Sequence, residues 1–333
     1  LFPLCIGWRI HLLAALMLVV VGSGLPRTEL SDGFHVSGTK LYDSTGKAFV
    51  MRGMNHAHTW YKNDLHAAIP AIANTGANSV RIVLSNGTQW TRDDVDAVKS
   101  IISLVNDNNM IAVLEVHDAT GKDDHASLDA AVNYWIDIKE AIIGKEDRVI
   151  VNIANEWHGS WSGREWADGY KQAIPKLRNA GIKNTLIVDA AGWGQQTESI
   201  AEYGTAVSEA DPQRNIIFSI HMYEYAGKDA ATVKANMELV LSQGLPLIIG
   251  EFGGYHQGAD VDEMAVMKYG QEKGVGWLAW SWYGNSPELS YLDLAAGPSG
   301  SLTSWGNTVV NGANGIKRTS RKAGIFEMSS DFD

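Results

Sequence analysis

The sequence predicts a (β/α)8 TIM barrel with a short N-terminal β-hairpin, and three observations carry that prediction. Eight short apolar runs alternate with segments of helical periodicity along most of the chain. The runs are rich in Val, Ile and Leu, as expected for parallel strands buried on both faces. Polar and aromatic residues gather just after the runs, at the end of such barrels where sites are built. The competing architecture is an open, doubly wound sheet. Its fingerprints are missing: no Gly-x-Gly-x-x-Gly follows the first run, and no P-loop pattern occurs.

Taken in order, residues 1–24 read as a secretory signal peptide. Arg9 and His11 precede the apolar run Leu12–Val21, and Gly22, Ser23 and Gly24 offer small residues for cleavage. The run is too short to span a bilayer comfortably. A secreted, extracellular protein is expected, with no membrane partner once the signal is removed. Cys5 is the only cysteine and lies in that segment, so the mature domain is expected to hold no disulfide. Gly33 to Gly46 reads as the hairpin, with Ser37-Gly38-Thr39 as its turn, placed to plug the bottom of a barrel.

Strands are expected at Phe49–Gly53, Asn78–Leu84, Met110–Val116, Val149–Ala154, Thr185–Val188, Ile216–Ile220, Leu245–Gly250 and Val275–Ser281. Helices are expected at Leu65–Asn74, Arg92–Asp107, Ser127–Ile143, Glu165–Ala180, Gln195–Tyr203, Ala230–Leu241 and Val261–Lys273, with a last one near Trp305–Asn311. Asp64, Thr91 and Ser162 are candidate N-caps, and Gly76, Gly181 and Gly274 candidate helix stops. The barrel domain is placed at 33–326 and a polar tail at 327–333.

The formal net charge is −11 and the pI about 5.4, which disfavours nucleic acid or an anionic membrane as partner. A neutral substrate meets no such barrier. Twelve tryptophans exceed what a core needs, and flat aromatic faces can line a sugar-binding groove.

Two apolar runs each end in one glutamate: Glu156 after Val149–Ala154, and Glu251 after Leu245–Gly250. In an eight-stranded ring the fourth and seventh strands face each other across the mouth. Two facing carboxylates suit glycoside hydrolysis, with Glu156 as acid/base and Glu251 as nucleophile. Burial and the charge of Glu251 favour the protonated form of Glu156, while Arg81 and Tyr223 favour the anion of Glu251. Asn155 is placed to bond a sugar 2-hydroxyl. His117 and His221 are placed to orient the acids and bind hydroxyls, and Trp280 to floor the site. A metal centre built from His56, His58, His117, Asp118, Glu156, His158 and His221 is the weaker alternative. No His-Glu-x-x-His pattern supports it, and neither a metal nor another cofactor is expected.

With these residues in hand, the chain resembles glycoside hydrolase family 5, clan A, of the retaining type, and within it the bacterial endo-β-1,4-mannanases. The resemblance spans about Gly33 to Phe326. It rests on Met51-Arg-Gly-Met-Asn-His56, Ser79-Val-Arg-Ile-Val-Leu84, Val151-Asn-Ile-Ala-Asn-Glu156-Trp157, Ser219-Ile-His-Met-Tyr223, Ile249-Gly-Glu-Phe-Gly253 and Trp277-Leu-Ala-Trp-Ser-Trp282. It implies Glu156 as acid/base and Glu251 as nucleophile, supported by Arg81, His117, Asn155, His221, Tyr223 and Trp280. It further implies a β-1,4-linked mannan substrate. His56, Trp60, Glu224 and Trp282 are candidate subsite residues, and a monomer is expected. An endo-β-1,4-glucanase, a barrel that binds carbohydrate without cutting it, and a metal-dependent hydrolase are the competing functions.

Overall fold

Eight parallel strands close into a barrel in the computed structural model, which describes residues 32–327. The expected signal peptide 1–24 and residues 328–333 of the expected tail lie outside the described residues. The hairpin comes first, as β1 (His35–Ser37) and β2 (Lys40–Tyr42). Barrel strands follow as β3 (Arg52–His56), β4 (Ser79–Leu84), β5 (Ile111–Val116), β6 (Val149–Asn152), β7 (Leu186–Asp189), β8 (Ile216–Met222) and β9 (Leu247–Phe252). A small hairpin, β10 (Tyr255–His256) and β11 (Ala259–Asp260), stands outside the barrel. Strand β12 (Gly276–Ala279) then closes it between β9 and β3.

Helices α1 (Leu65–Asn74), α2 (Val95–Asp107), α3 (His125–Asp137), α4 (Gly163–Asn179), α5 (Thr197–Glu209), α6 (Ala230–Leu241), α7 (Glu263–Lys273) and α8 (Ser304–Asn311) surround the strands. Expected and observed bounds agree for α1 and α6. Elsewhere the ends move for local reasons. Helix α2 starts at Val95, because Asp94 and not Thr91 caps it, accepting from Ala97 N. Helix α3 starts at His125, because Asp124 accepts from Ser127 N, and it ends at Asp137 before a separate 3-10 turn. Asp64 and Ser162 do occupy N-cap positions but make no capping bond.

The side-chain period of two sorts the strands into two cores. Inside the barrel lie Ile111, Val113, Ile150, Ile187, Ile217, Ile248 and Leu278. Phe34, Leu41, Phe49 and Met51 join them from the hairpin side, so the hairpin does plug the N-terminal mouth. Outside, against the helices, lie Val80, Ile82, Ala112, Leu114, Val149, Val151, Leu186, Val188, Phe218, Ile220, Leu247 and Ile249. The same parity turns Asn55, Arg81, Glu115, Asn152, Asp189 and His221 inward at the opposite mouth. The hydrophobic filling therefore stops one layer below a polar one.

Strand β9 breaks the parity. Ile220 pairs with Ile249, but His221 pairs with Glu251, so Gly250 is an extra residue in β9. This bulge turns Glu251 to the inside, where strict alternation would have faced it toward the helices.

Candidate active site

The inward polar layer is built around Arg81. Its guanidinium donates to Asn152 Oδ1 at 3.0 Å, Asn55 Oδ1 at 2.8 Å, Asn155 Oδ1 at 2.6 Å and Glu251 Oε1 at 2.8 Å. It also lies 3.7 Å from Glu115 and 3.8 Å from Asp189. Burial alone would disfavour its charge, but Glu115, Glu251 and Asp189 reverse that and raise its pKa. A planar fork suits this arrangement of acceptors on several strands.

Glu251 is 4 % exposed and is bonded at both oxygens, by Arg81 and by the Tyr223 hydroxyl at 2.9 Å. Both contacts suit the carboxylate form that attack on carbon requires. Glu156 sits just past β6 at φ 45°, a left-handed conformation that a glutamate rarely adopts. Three contacts hold it there. Its N–H donates to Asp189 Oδ2 at 3.0 Å, its carbonyl accepts from Gly121 N, and its Oε1 lies 2.7 Å from His221 Nδ1. A Glu156 oxygen, a Glu251 oxygen and a His221 nitrogen lie within 4.8 Å of one another. Facing oxygens this near suit the close spacing of about 5–5.5 Å that accompanies retention better than the roughly 6.5 Å or more that admits a water for inversion.

His221 is fully buried. Burial opposes its charge, yet Glu251, Asp189 and Glu156 raise its pKa well above the usual imidazole value. Asp189 is pushed down to about 2: burial works against its ionisation, and His221, Arg81 and the Glu156 N–H overcome it. A charged His221 donates to Glu156 Oε1 and lies 3.6 Å from Asp189, an ionic contact rather than a hydrogen bond. His117 stacks on Trp280 with ring centroids 5.8 Å apart and bonds Glu115 at 2.8 Å. Its pKa is raised: burial opposes the charge, and Glu115 prevails.

Above this layer opens a cleft of about 570 Å³. His117, Asn155, Glu156, Tyr223, Glu224, Glu251 and Trp280 all reach it. Trp60 is 40 % exposed and stands edge-on to His117 and Trp90, at the rim. Arg81 is buried and does not line the cleft, and four of its five N–H donors are engaged, so it positions other residues rather than meeting substrate. Two further candidates do not line the groove. His56 is fully buried because strand parity turns it toward the helices; it packs beside His58 and Tyr283. Trp282 is 1 % exposed and its indole donates to the Pro298 carbonyl. Sequence reasoning missed Trp161, Tyr225, Gln195 and His256. Their only signal was position in loops that follow strands. Trp193, in the loop after β7, is a further cleft residue and is 49 % exposed.

The wider set of candidate metal ligands does not converge. Asp118 is spent on Ser85, Asn86, Thr88 and Gln89, which fixes the loop after β4. His58 lies by Asp93, and His158 by Asp123 and Glu165. Among the described residues only Glu156, His221 and Glu251 have ligand spacing. All three are committed to the acid pair and its hydrogen bonds.

A closed (β/α)8 barrel carrying two carboxylates this close at its C-terminal mouth defines the class of retaining glycoside hydrolases. The profile of "Cellulase (glycosyl hydrolase family 5)" matches residues 42–286, and the chain belongs to that family. A mannan endo-1,4-beta-mannosidase of Salipaludibacillus agaradhaerens is 57 % identical over 295 residues, covering 88 % of this chain and 96 % of that one. The solved β-mannanase of Thermomonospora fusca superposes with a TM-score of 0.83 at 40 % identity, over 88 % of this chain and 99 % of that one. A β-mannanase of Streptomyces thermolilacinus, solved with mannohexaose, gives 0.83 at 42 % identity, over 88 % and 98 %.

Proposed function

We propose that this protein is a retaining endo-1,4-β-mannanase that cuts internal bonds of β-1,4-linked mannans by double displacement. The observation that carries the reading is the Glu156–Glu251 pair, with oxygens within 4.8 Å across the cleft. Glu251 attacks the anomeric carbon while Glu156 gives its proton to the leaving oxygen. Glu156 then takes a proton from water, which hydrolyses the glycosyl-enzyme bond. Arg81 and Tyr223 hold the nucleophile still, and His221 fixes Glu156 through Oε1. Glu156 Oε2 makes no hydrogen bond among the described residues, which leaves it for the glycosidic oxygen. Asn155 spends one amide N–H on Thr120 and keeps the other for the sugar. Trp280 lies beside both acids as an apolar floor.

Mannan rather than cellulose is favoured by the relatives, since the one at 57 % identity is named for mannan. Export follows in the same proposal from the apolar run Leu12–Val21 and its flanks. The test is reducing-end release from galactomannan against carboxymethylcellulose, with Glu156→Gln and Glu251→Gln as controls. Product anomers read by NMR distinguish retention from inversion. Faster release from carboxymethylcellulose would turn the reading to a glucanase, and binding without products would leave only a carbohydrate-binding barrel.

A further inference from the structure

We infer that His256 is a positioning residue for the nucleophile, acting through Tyr223. The inference rests on the glycosidase reading above and adds a part of the machinery that lies outside the barrel. His256 belongs to the β10–β11 hairpin, which pairs with no barrel strand. That hairpin directly follows β9, the strand that bears Glu251.

The imidazole of His256 packs on the ring of Tyr223, with centroids 4.4 Å apart and planes 30° from parallel. On its other side, Nδ1 bonds a carboxylate oxygen of Glu224. Gln195 approaches Glu224 with its side-chain amide at 3.4 Å and accepts from the backbone N–H groups of Tyr225 and Ala226. A continuous set of contacts therefore runs from Gln195 through Glu224, His256 and Tyr223 to Glu251. Burial opposes the charge of Glu224, but the His256 hydrogen bond prevails and lowers its pKa.

Tyr223 needs this support. It follows the last residue of β8, Met222, so no strand pairing fixes its backbone. Its hydroxyl must still meet Glu251 Oε2, and a ring left free to swing would hold that oxygen loosely. Burial, with the charges of Glu251 and Glu156, raises the Tyr223 pKa, so the phenol remains a donor. His256 packs against that phenol ring from outside the barrel.

A double-mutant cycle tests the inference. His256→Ala and Tyr223→Phe are each expected to lower kcat by about tenfold or more with KM little changed. The double variant is expected to fall no further than Tyr223→Phe alone. His256→Phe, which keeps a ring against Tyr223, is expected to recover part of the loss. Thermal midpoints read alongside separate this from loosening of the fold. Losses that multiply, a His256→Ala enzyme with wild-type kcat, or a rise in KM alone would each overturn it. If His256→Ala fails to fold, Glu224→Gln takes its place in the cycle with the same expected non-additivity. Wild-type turnover of mannan tests the functional reading by itself. The cycle's ratios test the inference, on mannan or on whichever β-linked polysaccharide the wild type cuts.

Discussion

A Cβ placed on Gly250 would sit 2.4 Å from the hydroxyl oxygen of Ser219 and 3.1 Å from Nε2 of His221. Gly250 is also the extra residue that turns Glu251 into the barrel. The two facts belong together, because a bulge that approaches a neighbouring strand so closely leaves no room for a side chain. Gly250→Ala is expected to lower kcat by about a hundredfold or more, since an error of about 1 Å at a reacting group suffices for that. It is expected to destabilise by about 1–3 kcal/mol through overpacking. Adding Ser219→Ala removes the nearer of the two atoms and should restore stability more than rate. Urea unfolding and single-substrate kinetics on the two variants and the wild type check this. Wild-type kcat in Gly250→Ala would show that the bulge does not aim the nucleophile.

Arg81 donates to Asn55, Asn152, Asn155 and Glu251 from inside the barrel. Arg81→Met leaves the three amide oxygens buried without that donor and Glu251 with the Tyr223 hydroxyl alone. The expected loss of stability is about 3–5 kcal/mol, the usual size for breaking one side of a buried ion pair. Turnover is expected to fall with it, because Glu251 loses a partner at 2.8 Å. Arg81→Lys keeps the charge but not the fork, so it should lie between the two. Denaturant midpoints and kcat, measured on the same preparations, decide the matter. An Arg81→Met enzyme as stable and active as wild type would show that the network is incidental.

The barrel was legible because its strands are buried on both faces and so read as apolar runs. The two glutamates were legible because each ends such a run. Parity along each strand was equally available and would have corrected His56. Asn55 and His56 are adjacent, so only one can face the mouth; Asn55 does, bonding Arg81 and three main-chain carbonyls. The Gly250 bulge was hidden, since the same glycine also ends an apolar run without any bulge. The outer aromatic residues were hidden for another reason. Trp161 and Tyr225 stand edge-on, 5.6 Å apart, but come from loops after different strands, and no local pattern records a meeting of that kind.

His56 governs the acid side of stability. Burial pushes its pKa down to about 3, with the neighbouring His58 adding to the effect. An unfolded chain takes up that proton near pH 6.5. Its stabilising contribution is therefore whole above about pH 6.5 and declines as pH falls toward 3, by roughly 1.4 kcal/mol per pH unit. Asp189 adds a second loss further down, between the ordinary aspartate value and about 2. His117 and His221 have the opposite sign: raised in the fold, they stabilise below pH 6.5 and lose that contribution as pH rises through their folded values. His56 alone should therefore weaken the fold in urea unfolding by about 2–3 kcal/mol between pH 7 and pH 4.5, and His117 and His221 offset part of that. His56→Asn, which cannot take up a proton, should flatten that difference. An equal slope in the variant would remove His56 as the cause.

Trp193 gives a test of the groove that leaves the acids alone. A Cβ on Gly121 would meet the Trp193 ring at 2.2 Å, and the Gly121 backbone has φ 67°, which disfavours any other residue. Trp193 is half exposed in the cleft wall. Trp193→Ala removes an aromatic surface on which a sugar can stack, so KM should rise with kcat nearly kept, the signature of lost uniform binding. Gly121→Ala should also displace the ring, but with a fall in kcat and some loss of stability, because the Gly121 N–H bonds the Glu156 carbonyl and the backbone there is strained. The rise in KM should be larger for long oligosaccharides than for the shortest one cut, because only a long chain reaches beyond the acids to this wall. Steady-state kinetics across a length series measure it. A fall in the kcat of Trp193→Ala with unchanged KM, equal at every length, would place Trp193 in the machinery of bond cleavage instead.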